Sequence, residues 1–305
     1  MEELVEIVMT TYNGERFVAD QLRSLLSQTH KNIRIQVYDD LSSDGTEAIV
    51  KEFADRDERV IWHKNPKNLG YTHNFLRGVM HTEADYVMLC DQDDIWKEDK
   101  VAKTLEFMIA KERESGKVPV LVFTDADVYN GRTIENRSFQ KSTHLNPKNV
   151  DIGHLLMENK CIGCTVMVNK GLVQHLGRIP SEIRFHDWWL ALIAASFGRV
   201  CYLDEMTLLY RQHGDNQVGG TGFAGYVKKR LAGLADQKSS IRATYRQGRL
   251  FYGIYRGELK GKSLEVVKNF AMMEKASFVR RRLNMFRYGY KKSGTIRNIG
   301  LFLLM

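Results

Sequence analysis

Cysteine is scarce in this chain of 305 residues, which has only four, at positions 90, 161, 164 and 201. So few cysteines do not form the disulfide framework of a secreted domain, and the first residues lack the basic, apolar and cleavable pattern of a secretory signal. Cys161 and Cys164 have the CxxC spacing, but no second CxxC and no paired histidines complete a zinc site. We therefore expect small buried side chains there and a reducing, cytoplasmic setting.

Long apolar runs are missing as well. A helix that spans a bilayer needs about 20 apolar residues, and the apolar stretch at residues 299–305 (IGLFLLM) is far shorter. The sequence therefore predicts that no segment crosses a membrane. It also contains no internal repeat and no low-complexity tract.

Acidic residues are rare in the last part of the chain. Residues 221–305 hold 19 Lys and Arg against 4 Asp and Glu, a net charge of +15 (19 − 4), so the whole-chain charge of +8 leaves −7 for residues 1–220. The late segment is rich in Lys, Arg, Tyr, Phe and Leu with little β-branched alternation, which predicts several helices over residues 226–305. We predict a first domain at residues 1–218 and a basic, amphipathic helical region at residues 219–305.

Strands and helices alternate in the first domain. An apolar run at residues 4–10 stops at a polar turn, and Val18, Leu22 and Leu25 then recur at helical spacing. Further strand patterns lie at residues 33–38, 60–62 and 86–90, with helix patterns near 72–80 and 101–109. This alternation predicts an α/β fold with a parallel, doubly wound sheet. Ligands bind such sheets at the carboxyl ends of the strands, where this chain places Tyr12, Asp39, Asp40 and residues 91–94.

A pair of acidic residues directly follows the strand predicted at residues 86–90. Asp91 and Asp93 are two residues apart, so in an extended chain their side chains point the same way. Mg²⁺ and Mn²⁺ take one or two carboxylates and fill the remaining positions with phosphate oxygens and water. The pattern indicates a diphosphate clamp, although acids also end strands as solvated caps. A second such triplet at residues 125–127, after a strand-like run at 118–123, shows how common the pattern is.

Four segments together carry a family resemblance. They are residues 11–14 (TYNG), 38–46 (YDDLSSDGT), 68–70 (NLG) and 90–96 (CDQDDIW). In this order and spacing they resemble the family 2 glycosyltransferases of the GT-A fold, over roughly residues 3–215. The resemblance implies a Rossmann-like mixed sheet flanked by helices, a nucleotide-sugar donor, and Mn²⁺ or Mg²⁺ as cofactor.

The resemblance also implies which residues bind the donor. It assigns Tyr12 and Asp40 to the nucleobase, since a carboxylate can accept a hydrogen bond from the imide N–H of uracil or thymine. The other donor-binding residues it implies are Thr11, Asn13, Asn68, Gly70, Asp91 and Arg211. The implied metal ligands are Asp91, Asp93 and His213. His213 and Arg211 lie in the segment 210–217 (YRQHGDNQ), where a neutral imidazole suits a metal and a guanidinium suits a diphosphate.

The stretch at residues 185–190 (FHDWWL) opens what we predict to be an amphipathic helix, at the place where the family carries its catalytic aspartate. We therefore assign Asp187 as the general base that takes the proton from the acceptor hydroxyl in an inverting transfer. The bound metal would stabilise the leaving diphosphate. The alternative is that Asp187 only caps its helix.

The segments at 91–96 and 210–216 are most similar to the bacterial rhamnosyltransferases, whose donor is dTDP-L-rhamnose. This similarity implies transfer of rhamnose to a lipid-linked precursor of a cell-surface polysaccharide, by an enzyme peripheral on the cytoplasmic face of the membrane. A UDP-hexose or UDP-N-acetylhexosamine donor stays open. The chain lacks a Gln-Arg-Arg-Trp-like segment, which argues against a processive synthase.

Two other classes of function are less well supported by the sequence. A nucleotidyltransferase would be favoured by a glycine-rich phosphate loop with a lysine near the start of the chain, and none is present. Nucleic-acid binding through the basic tail conflicts with the acidic first domain, which would repel a phosphate backbone. We expect the tail to bind the inner membrane surface, with packing on the catalytic domain or on a second subunit, as in a homo-oligomer, as the alternative.

Overall fold

A mixed sheet of nine strands forms the centre of the described residues, 2–212 and 234–305, in this computed structural model. The strand order is β3-β2-β1-β4-β8-β6-β9-β5, with β7 paired to β6. The strands are β1 (Val5–Thr11), β2 (Ile33–Asp39), β3 (Val60–Lys64), β4 (Tyr86–Cys90), β5 (Ile95–Trp96), β6 (Val120–Tyr129), β7 (Ile134–Ser138), β8 (Val166–Asn169) and β9 (Arg199–Arg211).

The first four strands are parallel, as the alternation of strands and helices predicts. β1 pairs with both β2 and β4, and β2 pairs with β3. The connecting segments contain α1 (Val18–Leu26), α2 (Thr46–Arg56) and α3 (Tyr71–Met80). All seven residues of β1 are buried. That is expected for a central strand whose two faces are both covered by helices.

The rest of the sheet is not parallel throughout. β8 runs antiparallel to β4 and β6, and β5 runs antiparallel to β9, whereas β6 and β9 are parallel. The purely parallel sheet predicted from alternation is therefore wrong beyond β4. The mixed sheet that the family resemblance implies is confirmed.

β6 is longer than the strand predicted at residues 118–123, and it contains the second acidic triplet. Asp125 and Asp127 lie inside the strand and are buried, not at its end as predicted. The Asp125 carboxylate accepts hydrogen bonds from the backbone N–H groups of Ala126, at 2.8 Å, and Gln140, at 3.1 Å. Because these donors compensate its burial, the strand continues past an acidic residue.

The remaining helices all follow β5 in the chain. They are α4 (Lys100–Ser115), α5 (Phe139–Ser142), α6 (Ile152–Met157), α7 (Lys170–His175), α8 (His186–Phe197), α9 (Leu234–Tyr255), α10 (Gly261–Ala271), α11 (Phe278–Arg287) and α12 (Thr295–Leu304), with 3₁₀ turns at Gly163–Thr165 and Met273–Lys275. The helical tail is thus confirmed from residue 234 onward. The boundary between residues 218 and 219 lies outside the described residues and stays a prediction.

α8 is buried on nearly all sides, so the amphipathic helix predicted here is wrong. Its core residue Trp189 is fully buried, and its ring centroid lies 5.3 Å from that of Phe251 in α9. The Tyr255 hydroxyl donates to the carbonyl of His175, at 2.9 Å. An apolar helix must be covered all round, and the tail helices α9 and α10 supply part of that cover, so both parts of the chain share one hydrophobic core.

Within residues 2–212 and 234–305, no helix combines the length and the apolar character needed to span a bilayer.

Candidate active site

A cavity of about 800 Å³ opens where β1, β2 and β4 end and where α8 begins. Most of the site residues predicted from the sequence line it: Thr11, Tyr12, Asn13, Asp40, Asn68, Gly70, Asp91, Asp93 and Asp187. They come from five separate segments of the chain. The fold therefore brings the predicted residues together, while the role of each stays a prediction.

Asp39, the last residue of β2, and Asp40, which follows it, bind different segments of the chain. Asp40 accepts hydrogen bonds from the backbone N–H of Leu69, at 2.7 Å, and of Gly70, at 2.8 Å. Gly70 has φ 73°, in the left-handed region that favours glycine. Asp39 is fully buried and accepts from the Thr11 hydroxyl at 2.9 Å. Asp40 thus holds the loop at residues 68–70 at the cavity, and Asp39 holds the end of β1.

Gln92 fixes the backbone of Tyr12. Its side-chain oxygen accepts from the Tyr12 N–H at 2.9 Å, and its amide nitrogen donates to the Tyr12 carbonyl at 3.2 Å. A side-chain carbon at Gly14 would lie 2.3 Å from that oxygen, so glycine is needed there for the contact. The Tyr12 side chain itself remains 52% exposed, with its ring accessible for stacking on a base. Sequence analysis quoted Gln92 in its motif but missed this function.

An acidic turn joins β4 to β5. Burial raises the pKa of Asp91 well above its usual range, and the neighbouring charges of Asp93 and Asp94 raise it further. Burial, and then the charge of Asp93, raises the pKa of Asp94 to about 7. In the described part of the chain, no N–H or O–H donor reaches the buried Oδ2 of Asp94. A cation would relieve this repulsion and give that oxygen a partner, so the turn fits a bound metal.

The atoms best grouped for a metal differ from the predicted set. Carboxylate oxygens of Asp91 and Asp94 and the Cys164 sulfur lie within 4.8 Å of one another. Burial raises the pKa of the Cys164 thiol well above its usual range. A protonated thiol is a poor ligand for Mg²⁺ or Mn²⁺, which prefer oxygen. Asp94 is therefore a candidate ligand that sequence analysis missed, Asp93 stays one because it lines the cavity, and His213 lies outside the described residues.

Arg211, at the end of β9, donates hydrogen bonds to the acidic turn. Its backbone N–H donates to Asp94 Oδ1 at 3.1 Å, and its Nε donates to the Asp93 carbonyl at 2.8 Å. The guanidinium lies over the rings of Phe17, at 5.0 Å, and Tyr129, at 5.2 Å. Its predicted pairing with a diphosphate stays a prediction. Arg16, a cation that sequence analysis missed, lines the cavity.

Asp187 is the second residue of α8 and faces the cavity. The N-cap is Phe185, which has no capping side-chain hydrogen bond, so Asp187 does not occupy the cap position. Burial raises the pKa of Asp187 to about 6, while hydrogen bonds from the backbone of Trp188, the side chain of Asn159 and the backbone of Gly163 lower it. A carboxylate with a pKa near the working pH is suited to take a proton in a reaction.

His186 also lines the cavity and was missed by sequence analysis, although it stands beside Asp187 in the quoted motif. Its ring stacks on Phe75 with a centroid distance of 4.1 Å, and burial lowers its pKa to about 3, so it is neutral. Neither ring nitrogen has a hydrogen-bond partner within the described ranges. A side-chain carbon at Gly163 would lie 2.8 Å from His186 Nε2, so this glycine makes room for the ring.

A mixed sheet flanked by helices, with carboxylates at the carboxyl ends of its parallel strands, is the arrangement of the GT-A fold. More narrowly, the chain belongs to glycosyl transferase family 2, whose sequence profile matches residues 6–168.

Two named relatives match about two thirds of the chain. It is 30% identical over 225 residues to the dTDP-rhamnosyl transferase RfbG of Shigella flexneri, covering 69% of this chain and 73% of that one. It is 29% identical over 197 residues to the putative teichuronic acid biosynthesis glycosyltransferase TuaG of Bacillus subtilis, covering 64% and 73%.

Solved structures share the fold at low sequence identity. TarS 1-349 of S. aureus in complex with UDP-GlcNAc superposes with a TM-score of 0.59 at 16% identity, covering 93% of this chain and 80% of that one. The mannosyltransferase PcManGT from Pyrobaculum calidifontis, in complex with GDP-Man and Mn²⁺, gives 0.52 at 12% identity, covering 95% and 84%.

Proposed function

We propose that this glycosyltransferase is inverting and metal-dependent, and that it transfers L-rhamnose from dTDP-L-rhamnose to a lipid-linked precursor of a cell-surface polysaccharide. The observation that carries the proposal is the shared cavity, which holds the acidic turn beside a buried carboxylate, Asp187, with a pKa of about 6. Inverting sugar transfer needs these two groups: a site for the diphosphate and its cation, and one base.

The chemistry assigned to Asp187 is a single displacement. An acceptor hydroxyl oxygen bonds to the anomeric carbon of the sugar from the face opposite the nucleotide. The bond from that carbon to the diphosphate oxygen breaks, its electron pair leaves with the nucleoside diphosphate, and the hydroxyl proton passes to Asp187. When bound to Asp91 and Asp93 or Asp94, Mg²⁺ or Mn²⁺ would offset the charge of the leaving diphosphate.

Support for the donor comes from the relatives. The Shigella flexneri relative is named a dTDP-rhamnosyl transferase, at 30% identity. TarS, which is only 16% identical to this chain, was solved in complex with UDP-GlcNAc. A UDP-N-acetylhexosamine is therefore the second candidate donor. Thymine and uracil present the same imide edge to a carboxylate such as Asp40. Small changes in a pocket decide between sugars.

A place for the enzyme follows from the proposed acceptor. Teichuronic acid biosynthesis, in the name of the Bacillus subtilis relative, is consistent with a cell-surface polymer as the product. A lipid-linked precursor keeps its lipid in the bilayer, so we place the enzyme as a peripheral protein on the cytoplasmic face of the membrane.

A donor screen tests the proposal. The full-length protein is incubated with a lipid-pyrophosphate acceptor and dTDP-rhamnose, UDP-glucose, UDP-GlcNAc or GDP-mannose, with Mn²⁺, Mg²⁺ or a chelator, and release of nucleoside diphosphate is measured. We expect the fastest release from dTDP-rhamnose, and none with the chelator. Faster turnover of a UDP-sugar would show that the donor is that sugar and not dTDP-rhamnose. Turnover undiminished by the chelator would contradict the proposed metal dependence. Release of pyrophosphate when nucleoside triphosphates are supplied instead would indicate a nucleotidyltransferase.

A further inference from the structure

The last two helices carry large apolar side chains that the fold leaves exposed. On α11 they recur at helical spacing at Val279, Leu283 and Phe286, and on α12 at Ile296, Ile299 and Leu303. Each of these side chains is between 57 and 81% exposed.

The two helices share one surface. The ring centroids of Phe286 in α11 and Phe302 in α12 are 6.3 Å apart. The Arg282 guanidinium lies between the helices, over the rings of Phe278, at 3.3 Å, and Phe302, at 5.1 Å. We call this surface, formed by α11 and α12, the C-terminal apolar face.

The C-terminal apolar face lies in a strongly basic segment. Residues 276–305 contain seven Lys and Arg and no Asp or Glu. Within residues 2–212 and 234–305, Arg287 pairs with Glu265 at 3.3 Å and Arg297 pairs with Glu158. With Lys292 left out of the count, the segment and these two acids still keep a formal charge of +4 (6 − 2). Its partner must therefore accept both apolar side chains and positive charge.

We infer that the C-terminal apolar face binds an anionic phospholipid bilayer. Apolar side chains of an amphipathic helix enter the acyl boundary, while anionic headgroups attract each nearby Lys or Arg by about 1 kcal/mol. A second copy of this chain, docked by two-fold symmetry, would bring two positive faces together. Nucleic acid would satisfy the charges but would offer no apolar partner to Leu283, Ile296 or Leu303.

The linker between the two helices connects this face to the wall of the active-site cavity. The Ser293 hydroxyl accepts from the Asn146 N–H at 2.9 Å, and the Ser293 N–H donates to a Glu158 carboxylate oxygen at 2.6 Å. The residues next to these two partners, Leu145 and Asn159, line the cavity. Membrane binding would thus hold the cavity wall close to the bilayer, where a lipid-linked acceptor resides; this use of the face rests on the proposed function.

Vesicle co-sedimentation of the full-length protein tests the inference. We expect the protein to pellet with vesicles of phosphatidylcholine and phosphatidylglycerol, but not with phosphatidylcholine alone, and to be released as salt rises. Leu283→Glu and Leu303→Glu should each weaken binding roughly tenfold, because a charge replaces an apolar group in the interface. Met80→Glu adds the same charge at an exposed apolar position at the end of α3 and should bind like the wild type.

Several outcomes would overturn the inference. Equal binding to both kinds of vesicle, or no binding, would exclude an anionic bilayer as the partner. Wild-type binding by both face variants would exclude the C-terminal apolar face as the binding surface. A dimer in sedimentation velocity, or retention of RNA, that the face variants abolish would assign the face to that partner instead. Sugar transfer to a short-chain, water-soluble acceptor should be unchanged in both variants, so a failure of the proposed function is read separately from a failure of membrane binding.

Discussion

At the scale of single residues, the burial of Asp187 lowers the stability of the folded protein and makes its carboxylate a better proton acceptor. It is 9% exposed, and burial outweighs its hydrogen bonds so that the pKa rises from 3.8 to about 6. We expect Asp187→Asn to lower turnover by about 10²- to 10⁴-fold, the usual contribution of a positioned base. Nucleotide affinity, measured by calorimetry, should stay within about threefold of wild type. Near-normal sugar transfer by the variant would return Asp187 to a purely structural role.

The same substitution should raise stability in a defined pH range. A raised pKa in the folded protein means that Asp187 favours folding only when protonated; this contribution is complete below pH 3.8 and is lost as pH rises through about 6. At pH 8, Asp187→Asn should therefore be more stable than wild type by on the order of 3 kcal/mol, from a shift of about 2.2 (6 − 3.8) at about 1.4 kcal/mol per pKa unit. Urea unfolding at pH 8 and pH 4 checks this, with the difference expected to fall below about 1 kcal/mol at pH 4. A less stable variant at pH 8 would contradict it.

Asp93 tests the acidic turn. We expect Asp93→Ala to abolish the gain in nucleotide affinity that Mn²⁺ provides, because a hard oxygen ligand is lost. Asp91→Ala should reduce the same gain to a lesser degree. Asp85→Ala, just before the other end of β4, is a suitable control because the Asp85 side chain is 60% exposed and pairs with Lys170 at 3.0 Å, away from the cavity. Calorimetry with and without Mn²⁺ measures the effect, and equal Mn²⁺ dependence in wild type and Asp93→Ala would exclude Asp93 as a ligand.

At the scale of structural elements, two turns act as one unit through Gln92. An added methyl at Gly14 would displace the flexible Gln92 side chain from the Tyr12 backbone, so Gly14→Ala and Gln92→Ala remove the same two hydrogen bonds. We expect each to weaken nucleotide binding by up to about 5- to 150-fold, because two hydrogen bonds at about 0.5 to 1.5 kcal/mol each sum to about 1 to 3 kcal/mol. The double variant should be no weaker than either single one. Additive losses in this double-mutant cycle would show that the two positions act independently.

Which elements could be predicted depends on the range of the interactions that form them. The strands β1 to β4 and the helices α1, α3 and α4 follow from local periodicity, and the ends of β1, β2 and β4 lie at the cavity. The direction of β8 and the extension of β6 past Asp125 depend on partners distant in sequence. No local pattern encodes these.

The site residues divide in the same way. Acids and aromatic residues at strand ends are visible in a motif, and Asp40 and Asp187 do line the cavity. His186 fits at the cavity because Gly163 leaves room for its ring, and Asn159 reaches the cavity from a separate segment. That contact joins residues brought together by the fold, so the motif at 185–190 could mark Asp187 without showing the surroundings that raise its pKa.

At the scale of the whole molecule, the basic tail is part of the folded core. Phe251, Tyr255 and Phe270 are buried in the same hydrophobic cluster as Trp189 of α8. Removal of residues 221–305 would expose that cluster, and each large aromatic loses about 3 to 5 kcal/mol of packing when its contacts are removed. We expect the truncated chain to lose its cooperative thermal transition and to aggregate, as measured by calorimetry and light scattering. A soluble fragment with a wild-type transition would show that the tail is an independent unit.

The linker between α11 and α12, which contains Ser293, restricts how the tails of related chains can be exchanged. Its partners, Asn146 and Glu158, belong to a segment that also forms part of the cavity wall, and the buried Lys160 donates to the same hydroxyl at 3.2 Å. A tail exchanged between relatives by recombination would arrive without its matching segment and would leave a buried lysine and glutamate without this partner. Residues 144–160 and the tail should therefore be inherited together, and acquisition of a new tail should require compensating changes beside the active site.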